Sequence, residues 1–121
     1  IAIASGKKEF LELGNIDIHR DWGWAPEYVL AMYLMLQQDH PVDLVVASGN
    51  NHSLKDFLNE AFSYFNLDWS DYLKQSELFF RPSELMINRA NPEKARKTLG
   101  WETSYSLKDI VRDMIKEKLD R

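Results

Sequence analysis

The chain has 121 residues, of which 45% are hydrophobic and none is cysteine, and its formal net charge at pH 7 is -4. The length is that of one small domain with enough apolar residues for a core. The negative balance lacks the basic surface that nucleic-acid binding requires, and no apolar run reaches the ~20 residues of a membrane span. The absence of cysteine excludes disulfides and thiolate metal sites. We therefore expect no nucleic-acid or membrane partner and a cytoplasmic location.

The first third of the chain predicts two strands and then a helix without a polar face. Residues 10–18 alternate apolar and polar around the turn signal Gly14-Asn15, which is typical of strand, turn and strand. Residues 26–38 predict a helix with a proline in its first turn, where that residue costs no hydrogen bond. Such a helix is usually buried on several sides, and so short a chain leaves little to bury it. This pattern, with a start at Ile1 rather than Met, favours an internal cut in a longer protein.

The middle of the chain predicts a buried strand and an amphipathic helix. Residues 42–47 form a short, β-branched run. Ser53 and Asp56 have the spacing of a capping box, and apolar residues follow at helical spacing. Residues 66–80 show no regular pattern, and residues 85–88 predict a short strand.

The C-terminal third predicts two helices. Asn91 has the character of an N-cap with a proline after it, and Gly100 suits the left-handed position that ends a helix. Ser106 and Asp109 form a second box-like start, before a helix with one apolar face. The whole is a mixed α/β chain with short strands and about four helices, too short for a complete doubly wound sheet.

Several common sites are missing from the sequence. No Gly-x-Gly-x-x-Gly or Gly-x-x-x-x-Gly-Lys motif provides a phosphate-binding turn. His19, His40 and His52 lie in three different segments, and no two of them share a helical face. The sequence therefore predicts no metal site.

Three side chains are candidates for binding a phosphorylated ligand. Arg20 lies between a predicted strand and a predicted helix, where its guanidinium could bind a phosphate; alternatively it pairs with Asp17 or Asp21 on the surface. Arg81 and Glu84 flank a proline that favours an extended backbone. These two could face a common cleft and bind a diphosphate and sugar hydroxyls, or form an exposed ion pair with each other.

The segments that carry these residues resemble the GDP-mannose 4,6-dehydratases. Residues 13–23 read Leu-Gly-Asn-x-Asp-x-x-Arg-Asp-Trp-Gly, the string most specific to that family; residues 81–85 and 91–101 are similar to its C-terminal end. The resemblance covers nearly the whole chain in order. The sequence departs from the family at residues 24–26, where His-Ala-Lys is usual, and residues 66–80 look shorter than the family's insertion.

The resemblance implies the C-terminal part of an extended short-chain dehydrogenase, a Rossmann-type fold. Residues 1–121 would be a single sugar-nucleotide-binding region, whereas the cofactor-binding half and the catalytic residues would lie outside this chain. The family is implied to convert GDP-D-mannose into GDP-4-keto-6-deoxy-D-mannose with a tightly bound NADP, commonly as a homo-oligomer. By resemblance, Arg20 and Arg81 hold the diphosphate of GDP-mannose and Glu84 holds the ribose.

Two alternatives remain open at this stage. The chain could come from another nucleotide-sugar dehydratase, epimerase or reductase of the same extended family. It could also be a binding module that uses this fold without chemistry. In the enzyme interpretation, the fragment alone is expected to be inactive.

Overall fold

The computed structural model describes residues 1–120 of the chain. These residues contain short strands, two single 3-10 turns and the four helices that the sequence predicts. The elements in chain order are β1 Leu11–Leu13, β2 His19–Arg20, α1 Ala25–Leu36, β3 His52–Ser53, α2 Leu54–Ser63, β4 Leu73–Gln75, α3 Glu93–Leu99 and α4 Leu107–Leu119, with the 3-10 turns at Trp69–Asp71 and Glu77–Phe79. The fold is therefore the mixed α/β type expected from the sequence.

The strands form two separate two-stranded sheets. β1 pairs with β4 in parallel, and β2 pairs with β3 in antiparallel orientation. The strand predicted before residue 18 is thus displaced, because β2 begins only at His19. The reason is local: the Asn15 side chain accepts a hydrogen bond from the Asp17 backbone N–H at 2.9 Å, which folds residues 15–17 into a turn instead.

Residues 42–47 do not form the predicted strand. Their exposure alternates along the run, as in a strand, but no ladder partner exists among residues 1–120. Leu44 and Val46 instead pack against the cluster of Ala31, Ala95 and Trp101, which is the first of two small cores. The strand predicted at 85–88 is reduced to one parallel bridge between Ile87 and His19. Both segments have the sequence pattern of a strand. Residues 42–47 have no paired strand within residues 1–120, and residues 85–88 have a single bridge.

The second core joins the two amphipathic helices. Leu107, Val111 and Ile115 of α4 are buried against one face of α2. Trp22 closes this cluster from the β2–α1 connection, with its ring centroid 5.4 Å from that of Phe57. The segment between β2 and α1 is thereby fixed to the helical layer.

Helix α1 has the apolar surface that the sequence predicts, but residues 1–120 leave most of it uncovered. Ala31 is its one buried residue. By contrast, Val29 is 61% exposed, Met32 58%, Tyr33 59% and Leu36 82%. A contiguous apolar surface of this kind on a folded protein marks an interaction site.

Both predicted capping boxes are formed. Ser53 accepts from the backbone N–H of Asp56, whose carboxylate accepts from the backbone N–H of Ser53; Ser106 and Asp109 repeat this arrangement. Backbone and side-chain hydrogen bonds from Ser53 lower the pKa of Asp56. At α3 the predicted start is wrong by one position, because the helix begins at Glu93 and Asn91 accepts from the Glu93 backbone N–H at 3.0 Å.

Replacing Ser106 by alanine should lower the free energy of unfolding by about 1 kcal/mol, because a backbone N–H in the first turn of α4 loses its acceptor. Urea denaturation at neutral pH measures the change. Ser83→Ala is the matched control, since Ser83 is exposed and makes no hydrogen bond within residues 1–120. Equal stability of the two variants would contradict the prediction.

Candidate functional site

The candidate site forms where the loop of residues 81–88 lies against β2. The backbone N–H of His19 donates to the Met86 carbonyl at 2.7 Å, and the N–H of Asn88 donates to the His19 carbonyl at 3.2 Å. These bonds bring Arg20 and Glu84, which are 64 positions apart in the sequence, into direct contact.

Arg20 is held by three acceptors. Its Nη1 donates to the carbonyls of His19 and Leu85 at 2.8 and 2.7 Å, and its Nη2 donates to Glu84 Oε1 at 2.7 Å. The side chains of Arg20 and Glu84 are 25% and 18% exposed, so this ion pair is less screened than a surface pair. Neither Asp17 nor Asp21, the partners considered in the surface interpretation, contacts the guanidinium.

The pair still has unused hydrogen-bonding capacity. A guanidinium carries five N–H donors, and the three bonds of Arg20 leave Nε–H and one Nη2–H without an acceptor among residues 1–120. Glu84 Oε2 likewise makes no hydrogen bond in this part of the chain. A ligand can therefore bind both side chains without breaking their contact.

Arg81 lies on the same loop but is not part of this contact. Its side chain is exposed and makes no hydrogen bond or ion pair within residues 1–120, so the pair with Glu84 considered from the sequence does not form. Phe80, the residue before it, and Leu85, four residues later, are also exposed, at 48% and 67%. Arg81 thus contributes a positive charge that no carboxylate of the described residues neutralises.

Behind Arg20, the next residue of the chain fixes a second loop. Asp21 Oδ1 accepts from the Ser48 backbone N–H at 3.1 Å, and Oδ2 accepts from the Gly49 N–H at 2.7 Å. Gly49 has φ of +81°, and a Cβ there would lie 3.2 Å from the Pro92 ring. The sequence offered only the glycine as a signal, because the partners of Asp21 are distant in the chain.

Ser48 is the centre of this second loop. It is 3% exposed, and its carbonyl accepts from Arg96 Nη2 at 3.3 Å. The pKa of Tyr28 is raised, chiefly by burial and then by the charge of Asp21. The hydrogen bonds from Asp21 and Arg96 hold the backbone of Ser48 and Gly49 in place.

The ordered loop borders a polar cleft. The cleft has a volume of about 350 Å³ and is lined by Asp21, Gly49, Asn50, Asn51, His52, Arg89 and Ala90. His52 lies directly opposite Arg20 in the β2–β3 pairing, so the cleft and the Arg20–Glu84 pair share one ribbon. Sequence reasoning did not identify Asn51 or Arg89 as site residues, because neither belongs to a recognisable motif.

Other site types are not formed by the described residues. Within residues 1–120, no three side chains of His, Asp or Glu are grouped so that they could hold a metal ion. No helix in that range has the length and apolar character needed to cross a membrane.

Solved structures define the class of the fold. RMD from Pseudomonas aeruginosa, solved with NADPH, superposes with a TM-score of 0.84 at 18% identity, covering 96% of this chain and 38% of that one. The dTDP-glucose 4,6-dehydratase of Bacillus anthracis, solved with NAD, superposes with a TM-score of 0.81 at 15% identity, covering 99% of this chain and 37% of that one. The chain has the mixed α/β fold of the corresponding part of these Rossmann-type short-chain dehydrogenases, which is somewhat over a third of their length.

Sequence comparison narrows this class to one family. The family model described as GDP-mannose 4,6 dehydratase matches residues 1–114. GDP-mannose 4,6 dehydratase 1 of Arabidopsis thaliana is 41% identical over 118 residues, 98% of this chain and 33% of the relative; the Dictyostelium discoideum enzyme is 36% identical over 135 aligned residues, 98% of this chain and 38% of the relative. The chain belongs to the GDP-mannose 4,6-dehydratase family, and it spans about a third of the length of these relatives.

Replacing Asp21 by alanine should lower the free energy of unfolding by about 1–3 kcal/mol, because two backbone N–H groups at the edge of the core lose a charged acceptor. Hydrogen exchange of the Ser48 and Gly49 amides should accelerate, whereas the amides of α4 should keep their relative protection. Asp17→Ala, which removes an exposed carboxylate that pairs with Lys55 and accepts from neither of these amides, is the control. Unchanged exchange at residues 48 and 49 would contradict the role given to Asp21.

Proposed function

We propose that residues 1–121 form the substrate-binding C-terminal region of a GDP-mannose 4,6-dehydratase, which converts GDP-D-mannose into GDP-4-keto-6-deoxy-D-mannose and water. The observation that carries this proposal is the fixed guanidinium of Arg20, which keeps two N–H donors unused beside the free oxygen of Glu84. Paired N–H donors match the oxygens of a phosphate, and a carboxylate oxygen accepts from sugar hydroxyls. Both groups are needed to bind a nucleotide sugar.

The two arginines contribute differently to binding the diphosphate. Arg20 is held in place and partly neutralised by Glu84, so its main contribution is to orient the diphosphate. Arg81 is exposed and not neutralised, so it supplies most of the local positive charge. A diphosphate that bridges the two is attracted by one residue and oriented by the other, although the chain as a whole has a formal net charge of -4.

The redox cofactor of the reaction, NADP, does not bind to this chain in the proposal. The glycines lie at positions 6, 14, 23, 49 and 100, a spacing that provides no glycine-rich turn between a strand and a helix. We assign NADP, which supplies hydride transfer when bound, and the residues that act on the sugar to the part of the protein outside residues 1–121. The chain described here binds and orients the substrate.

That remaining part is also the proposed partner of two unsatisfied surfaces. Residues 42–47 have no ladder partner within residues 1–120, and α1, whose buried Ala31 packs in the same cluster as Leu44 and Val46, leaves Val29, Met32 and Leu36 exposed. A separate apolar cavity of about 300 Å³ is lined by the residues around Ile1 together with residues of α2 and α4. A partner that offers a strand edge and an apolar layer satisfies the first two together.

Replacing Arg81 by alanine in the full-length protein should weaken GDP binding by about ten- to a hundredfold, because a charge-assisted phosphate contact is lost. Arg20→Ala should have an effect of similar size, and Arg20→Lys should restore part of it, since lysine keeps the charge but loses the planar fork. NADP affinity should stay unchanged in all three variants. Calorimetric titration with each nucleotide measures the affinities.

Arg81→Ala is the decisive variant, because its side chain makes no contact that the fold depends on. Arg112→Ala, at an exposed arginine of α4, controls for the loss of one positive charge. Unchanged GDP affinity in both Arg20→Ala and Arg81→Ala, with native circular dichroism, would remove these residues from the substrate site.

Residues 1–121 alone should give no turnover of GDP-mannose when NADP is supplied, whereas the full-length protein should be active. Hydrogen exchange of the α1 amides and of residues 42–47 should be much slower in the full-length protein, because the proposed partner covers both segments. The amides of α4, whose core is complete, serve as the internal reference. Turnover by the isolated chain, or equal exchange of α1 in the two proteins, would contradict the proposal.

A further inference from the structure

We infer that Glu84 is a positioning residue, which fixes the plane of the Arg20 guanidinium for the diphosphate through Oε1 and leaves Oε2 for the ribose. This inference rests on the function proposed above. It adds a second role to a carboxylate for which the resemblance implies only contact with the ribose.

The geometry of Arg20 explains why a third acceptor matters. The two hydrogen bonds to the carbonyls of His19 and Leu85 are both donated by Nη1, so they anchor one corner of the guanidinium. A planar group anchored at one nitrogen can still pivot about that corner. The bond from Nη2 to Glu84 Oε1 at 2.7 Å adds a second fixed nitrogen, which sets the plane and the direction of the unused N–H groups.

The loop that carries Glu84 does not depend on its side chain. The loop is held to β2 by backbone bonds between His19 and Met86 and between Asn88 and His19, and by Arg20 through the Leu85 carbonyl. Removing the carboxylate therefore leaves the loop in place and releases only the orientation of Arg20. This separation allows a test by substitution.

Alanine and glutamine at position 84 separate orientation from charge. Both substitutions remove the negative charge of Glu84, and with it any repulsion of the diphosphate, but only glutamine keeps an acceptor that can reach Arg20. A difference in GDP affinity between the two variants therefore measures the effect of the hydrogen-bond acceptor at position 84, since the charge is absent from both. If the acceptor works through Arg20, the difference depends on the presence of that arginine.

The experiment is a double-mutant cycle in the full-length protein, with GDP titrated calorimetrically. Glu84→Ala should bind GDP about tenfold more weakly than Glu84→Gln, the cost of one oriented hydrogen bond to a charged group. In the Arg20→Ala background the difference should shrink to what the ribose contact alone supplies, well below its size with Arg20 present. Glu84→Leu should behave like alanine, and it replaces alanine in the cycle if that variant does not fold.

Two results would overturn the inference. Equal GDP affinities of Glu84→Ala and Glu84→Gln with Arg20 present would show that the acceptor does not matter. A difference of the same size with and without Arg20 would show that Glu84 acts only by touching the ligand. Glu93→Ala and Glu93→Gln are the matched controls, because the Glu93–Lys97 pair is exposed and lies on α3, outside the loop of residues 81–88.

The cycle also separates this inference from the proposed function. A full-length protein that binds no GDP, or that binds it equally well after Arg20→Ala and Arg81→Ala, would refute the proposed site and the inference with it. GDP binding that requires both arginines but is indifferent to the acceptor at position 84 would refute the inference alone. Loss of stability without loss of affinity in the folded protein would likewise assign Glu84 a purely structural role.

Discussion

The contact of Arg20 with the loop of residues 81–88 is the constraint on which the candidate site depends. Through Arg20 and His19, β2 is joined to a loop that contributes Glu84 and Arg81, and through its other edge β2 pairs with β3. Asp21, the residue after β2, holds the loop before β3. One two-residue strand therefore connects three segments that are far apart in the sequence. Such a short strand is stable here because side-chain bonds supplement its few ladder bonds.

The features that the sequence predicted correctly are those decided within a few residues. The boxes at Ser53 and Ser106 need only a hydroxyl and a carboxylate three positions apart, and the left-handed Gly100 needs only its own backbone freedom. The amphipathic pattern of α4 likewise identified the face that packs on α2. In each case residues close together in the sequence determine the local structure, so the sequence alone could predict it.

The features that the sequence did not reveal are those that need a distant or external partner. The run at 42–47 has the composition of a strand, but a ladder requires a neighbour, and residues 1–120 supply none. The Arg20–Glu84 contact joins residues 64 positions apart, so periodicity and spacing cannot predict it. The resemblance to a family gave Arg20, Arg81 and Glu84 as candidate residues, and the structure shows that two of them bind each other.

This mutual contact changes the meaning of an ion pair at a binding site. At the level of the sequence, a surface ion pair and ligand binding were alternatives for Arg20. Asp17 and Asp21, the partners considered there, do not contact the guanidinium, and the pair that does form, with Glu84, is compatible with ligand binding. An arginine has more donors than one carboxylate can use, so a pair that leaves Nε–H and one Nη2–H unused is both a structural bond and a prepared ligand site. Preorganisation of this kind reduces the entropy that binding must otherwise remove from a long side chain.

Arg81 shows the opposite arrangement, since it is exposed and unpaired within the described residues and must be ordered when a ligand binds. The division between a fixed and a free arginine therefore follows from the fold. Arg20 lies on a paired strand, whereas Arg81 lies on a loop whose anchors, at residues 85, 86 and 88, come only after it.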